Sequence, residues 1–112
     1  MNLFKYCLAV VALGSAGAAI ACDYPALVAL PDGAASSIDQ MVAAQEGVRA
    51  YMESMDAYLS CVNAELDAAG DDAPEEFKAI LVSRHNAAVA EMEGVAASFN
   101  EQIAAYREAN PE

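Results

Sequence analysis

The sequence predicts an all-α fold: an antiparallel, coiled-coil-like two-helix hairpin with an extended N-terminal arm stapled to the first helix by a disulfide. Three observations carry that expectation. Apolar residues recur at spacings of three and four from Ile38 to Leu66, the period of one helix face. A second such run follows a short acidic break, "DDAPEE" at Asp71–Glu76, and a joint of that length turns the chain back on itself. Two cysteines remain, Cys22 and Cys61, once an N-terminal leader is set aside.

The chain of 112 residues has room for one small domain. Residues 1–21 read as a secretory signal. Lys5 is the one basic charge near the start, Tyr6–Leu13 is a short apolar core, and Ala19-Ile20-Ala21 ends on small residues flanking a cut. The apolar run is shorter than the about 20 residues that span a bilayer, so the mature chain is expected to hold no transmembrane segment. Cys7 leaves with the leader, and an even pair in an exported protein points to a Cys22–Cys61 disulfide. The alternative is a lipoprotein whose lipid-modified first residue is Cys22. Ala19 and Ile20 fit a lipobox poorly, and lipidation strands Cys61 as a free thiol in an oxidising compartment. The expected location is the periplasm, with an outer-envelope lipoprotein as the alternative.

The mature chain keeps 17 acids against Arg49, Lys78, Arg84 and Arg107, a formal charge of −13. Nucleic acid and anionic lipid surfaces would be repelled, so neither is an expected partner. The acidic balance serves solubility first, and beyond that it suits a basic partner or weakly held cations.

Residues 22–35 form the arm. "CDYPALVALPDG" holds Pro25 and Pro31, which lack amide donors and fix φ, and each pushes its predecessor toward extended geometry. Asp32-Gly33 signals a turn. Leu27, Val28 and Leu30 are too apolar for a free tail, so the arm is expected to lie back along helix 1. From Ser37 to Cys61 helix 1 climbs about 24 residues, roughly 36 Å. The arm has enough chain to cover that, up to about 50 Å extended. Gly47 is expected to let it pass closely at the height of Leu30–Pro31. The closed loop of about 40 residues contributes roughly 4 kcal/mol in the chain-entropy model.

The hairpin occupies residues 36–112, with helices expected over about 37–69 and 73–109. Ser36 or Ser37 can cap the first, with Asp39 or Gln40 three residues on as in a capping box. Its seam runs Ile38, Met41, Gln45, Val48, Met52, Met55, Leu59, Val62, Leu66, and Gly70 follows its end. In the second helix Asp72 is the expected N-cap, Pro74 falls in the first turn and Glu75 completes a capping box. Its apolar face runs through Phe77, Leu81, His85, Ala88, Met92, Val95, Phe99 and Tyr106, widened by Val82, Val89, Ala96 and Ile103, and Asn110-Pro111 ends it. Antiparallel helices joined this way match levels where residue numbers sum to about 143, so Leu81 faces Val62 and Met92 faces Met52. Tyr51, Tyr58 and Tyr106 read as packing residues with wet hydroxyls.

The words "ACDYP", "YMESMDAYLSCVNAE" and "RHNAAVAEMEGVAASFNEQIAAY" resemble small exported proteobacterial helical-hairpin proteins of uncharacterised function. The similarity covers most of the mature chain. It implies export, a helical fold and a two-cysteine pattern, and it supplies no activity.

Signatures of chemistry are sparse. There is no C-x-x-C-H, no H-E-x-x-H and no glycine-rich phosphate loop, so no cofactor and no catalytic residue is expected. One constellation stands out: the hairpin register brings His85 near Met52, Met55 and Met92. Imidazole and thioether ligands suit copper(I), while methionine at helical spacing also serves as adaptable core filler. Paired acids such as Asp71-Asp72 and Glu91-x-Glu93 read as a solvated face. The expected role is that of a non-enzymatic structural or protein-interaction protein of the cell envelope. Its partner is unnamed by the sequence, and a homodimer pairing two hairpins into a four-helix bundle is in view. The alternatives are a periplasmic copper-type metal-binding protein and the Cys22-anchored lipoprotein.

Overall fold

The computed structural model describes residues 22–111; the leader expected over residues 1–21 lies outside the described residues. The described chain is an irregular arm, a single 3-10 turn at Gly33–Ala35, and two long helices, α1 (Ile38–Ala69) and α2 (Glu75–Ala109), packed against each other as a hairpin.

The start of α1 follows local chemistry. Ser37 has extended backbone angles, its hydroxyl accepts from the Gln40 N–H at 3.1 Å, and the Gln40 side chain accepts from the Ser37 N–H at 2.8 Å. Two amides that a helix start leaves orphaned are thereby satisfied reciprocally. At the other end Gly70 takes φ +70° with nothing within 4 Å of where a Cβ would stand. The requirement for glycine there is conformational, not one of space.

The start of α2 differs from expectation. Asp72 does not cap it; the N-cap position is Pro74, at φ −57° and ψ 139°, without a side-chain hydrogen bond, and the helix begins at Glu75 rather than near 73. The physical reason is the proline itself. A helix capped by Asp72 would need Ala73 helical, and a residue before proline is driven out of that region. Lys78 closes the corner instead, its Nζ donating to the Asp71 carbonyl at 2.9 Å and lying 3.6 Å from the Glu75 carboxylate. Glu75 and Glu76 in the first turn and Arg107 in the last complement the helix dipole.

The core follows the seam. Met55, Val62 and Leu81 are the largest fully buried side chains, and Ala88 is also fully covered. Met55 and Ala88, a long flexible side chain and a small one, both belong to this core. Tyr51, Tyr58 and Val95 complete this cluster, with Val48, Met52, Leu59, Leu66 and Met92 packed against it half-buried. Met41 and Phe99 are buried toward the open end. Ile38, Phe77 and Val82, read from the sequence as apolar-face residues, are 56%, 44% and 46% exposed. Two helices bury one stripe each, and residues at the edges of the stripe stay in solvent unless something covers them.

Candidate functional site

The arm is where the structure concentrates its long-range contacts. Cys22 is bonded to Cys61 with a Cα–Cα separation of 5.7 Å across 39 residues, which ties the arm to the middle of α1. Two residues on, the Tyr24 ring meets the Tyr58 ring edge-on at 4.9 Å, and the Tyr24 hydroxyl donates to the Glu91 carboxylate on α2. Val28 then passes over Gly47 of α1. The arm ends on α2, where the Gly33 N–H donates to Gln102 Oε1 at 2.9 Å.

The contacts therefore alternate between α1 and α2. The sequence predicted an arm laid along helix 1; the structure places it as a lace across both helices. Gly33 is the tightest point, since a Cβ there would stand 1.9 Å from the Gln102 carbonyl oxygen. Asp32 shapes the approach, its side chain accepting from Ala34 N–H at 3.1 Å and its carbonyl from the Ser36 hydroxyl at 2.6 Å. Gly47 is less constrained than expected. Its neighbour is Val28 rather than Leu30–Pro31, and an added Cβ would sit 3.6 Å from Val28 Cγ2, an ordinary contact.

Glu91 is the electrostatic centre of the lace. Because Tyr24 donates to its carboxylate, ionising that phenol would place two negative charges in contact, and the Tyr24 pKa is pushed up to about 12. Burial raises Tyr51 as well, reinforced by the charge of Glu91. The Tyr51 hydroxyl is buried beside that carboxylate, with Glu91 the one group near enough to accept from it, outside full hydrogen-bond geometry. It is dry rather than wet as the sequence predicted, because the arm closes over it. Sequence reasoning placed Glu91 on a solvated face; Tyr24 engages it from 67 residues away, a pairing that no local pattern signals.

Two open grooves flank the helix pair. One, of about 720 Å³, runs between the arm and α1, with Gly47, Ala50, Ser54 and Ala57 along its floor and Tyr24, Tyr51 and Tyr58 on its walls. Its one charged lining residue is Asp23. The other, of about 810 Å³, lies at the open end of the hairpin among Ile38, Val42, Phe99 and Ile103, with Arg107 as its one charged residue. No arm residue lines this second groove.

The residues predicted as metal-site candidates are partly brought together. Met55 is fully buried, and Met52 and Met92 pack against the cluster that contains it. His85 is half-buried with Nδ1 shielded and without a hydrogen-bond partner. Among the described residues, Cys22, Cys61 and Glu65 bring potential ligand atoms within 4.8 Å of one another. Both sulfurs are spent in the disulfide, so this is no metal centre. Glu65 Oε1 stands 3.4 Å from Cys22 Sγ, which carries no hydrogen to donate. Among the described residues no helix is long and apolar enough to cross a membrane. No protein-family model, no curated protein and no solved structure matches the chain.

Proposed function

We propose that the protein is an exported, non-enzymatic module of the cell envelope that works by protein–protein contact. The observation that carries this reading is the unequal closure of the hairpin: the arm covers one flank, while Ile38, Val42 and Val82 stay about half exposed on helix faces that nothing covers. A second copy laid against that flank would complete a four-helix bundle of the usual kind. Light scattering on the purified mature chain tests this. A dimer that Val82→Glu converts to monomer supports it, and a monomer at every concentration removes the second copy as the occupant. A pull-down from envelope extracts, with and without the same substitution, then reports any other partner on this flank.

The disulfide occupies the Cys22 sulfur, which supports a free exported form over a lipidated one, and intact mass of the envelope-fraction protein separates the two. A copper(I) reading draws on a single observation, the unpaired His85 Nδ1 in a hairpin whose core holds Met52, Met55 and Met92. Titration with reduced copper against a competing chelator tests it, and absence of competition ends it.

A further inference from the structure

We infer that the arm-side groove is a second, separate binding site that takes a basic segment of a partner protein, seating a lysine or arginine side chain against Asp23 and the tyrosine walls. Three independent features converge on that occupant. The first is charge. The whole chain carries −12, the groove is lined by Asp23 and by no cation, and Glu65 and Glu91 stand behind it at the disulfide and at Tyr24. The second is the walls. Aromatic faces carry negative electrostatic potential and attract ammonium and guanidinium groups, and Tyr24, 47% exposed, lines this groove with the buried Tyr51 and Tyr58 behind it.

The third feature is the floor. Gly47, Ala50, Ser54 and Ala57 carry no long side chain, so a partner backbone can approach closely enough for its side chain to reach Asp23 and Tyr24. The groove at the open end, with Arg107 on its rim, has the opposite preference and serves as an internal control.

The test uses tyrosine emission, readable because the chain has no tryptophan. The purified mature protein is titrated with a lysine-rich peptide lacking aromatic residues, and separately with its glutamine-for-lysine counterpart. Saturable binding of the lysine peptide alone is expected, weakening as salt is added. Asp23→Asn and Tyr24→Leu should each weaken it by about three- to five-fold. Glu101→Gln, which removes the same charge from an exposed position on α2, should leave it unchanged. Equal losses in Asp23→Asn and Glu101→Gln would mean that net charge alone attracts the peptide and would overturn the groove, as would no saturable binding. Asp23 is exposed and outside the core, so its variant reports even where Tyr24→Leu loosens the arm. The site does not need the bare flank: a dimer that persists while peptide binding fails overturns the groove alone.

Discussion

The two flanks of the hairpin are built from the same kind of helix surface and have opposite fates. On the arm side Tyr51 and Tyr58 are buried to 5% and 7% exposure, because eleven residues of irregular chain from Cys22 to Asp32 cross them. On the other side Val82 and Val42 remain 46% and 50% exposed. Neither helix discriminates between its own edges. What separates the flanks is a covalent bond, a phenol–carboxylate hydrogen bond and one close glycine, all contributed from outside the helices. A two-helix unit is thus made three-layered on one side only, and its apolar excess is directed to the other.

Experiments can break that asymmetry in graded steps. The largest effect is expected from Cys61→Ser, which opens the 39-residue loop and should cost about 4 kcal/mol in the chain-entropy account. The melting temperature should fall sharply while helical content at low temperature is retained, and an unchanged melt would refute the staple. Met55→Ala removes a side chain that is fully buried, for a loss of about 2–5 kcal/mol by denaturant titration. Unlike the first variant, it should weaken both flanks equally. Gly33→Ala drives a methyl group into the Gln102 backbone and should cost about 1–3 kcal/mol. Hydrogen exchange should then rise in the arm first, and uniform exchange through the hairpin would contradict the lace.

A pH titration sharpens the comparison without mutation. The Tyr24 pKa is raised in the folded state from 10.0 to about 12, so its contribution is complete below pH 10 and is lost as pH climbs through about 12. Tyrosinate absorbance should therefore show late-titrating phenols, Tyr24 and Tyr51 among them, and Tyr24→Phe should remove one of them. The smallest effect belongs to Val82→Glu. On the bare flank it should change monomer stability by about 0.5 kcal/mol or less, while any self-association through that face is abolished.

Much of this was legible beforehand, and the reasons are local. The three-four spacing from Met41 to Leu66 marks the stripe facing α2 because a helix has a single period, although Gln45 within it is exposed and Tyr51 and Tyr58 beside it are buried; Ser37 with Gln40 is a cap complete within four residues. That the arm would lie against the hairpin followed from Val28 and Leu30 between two prolines, while Leu27, counted with them, stays 73% exposed; the reach to Cys61 followed from chain length alone. What escaped was set by distant pairs. Glu91 looks like one more surface acid until Tyr24 arrives, and Gly33 looks like any turn glycine until Gln102 lies against it. Asp72 illustrates a different failure: two valid local rules competed, and the restriction before Pro74 outweighed the capping preference of the aspartate. For the candidate site, the tyrosines were identifiable as packing residues, but the dry Tyr51 hydroxyl depends on which side the arm takes, and no spacing encodes that.

The position of the disulfide has a mechanical consequence. A pull applied at Cys22 does not travel along the arm and up α1 from its first turn; it crosses directly into α1 at Cys61. The arm and about three-quarters of α1 then lie outside the load-bearing path, together with Tyr51, Tyr58 and the groove they line. Tension applied at Cys22 would be carried by the last two turns of α1, the Gly70–Pro74 corner and α2. The groove beside the arm would keep its shape under strain, which an oxidised chain stretched in a force experiment should show as a contour length shorter by the 39-residue loop.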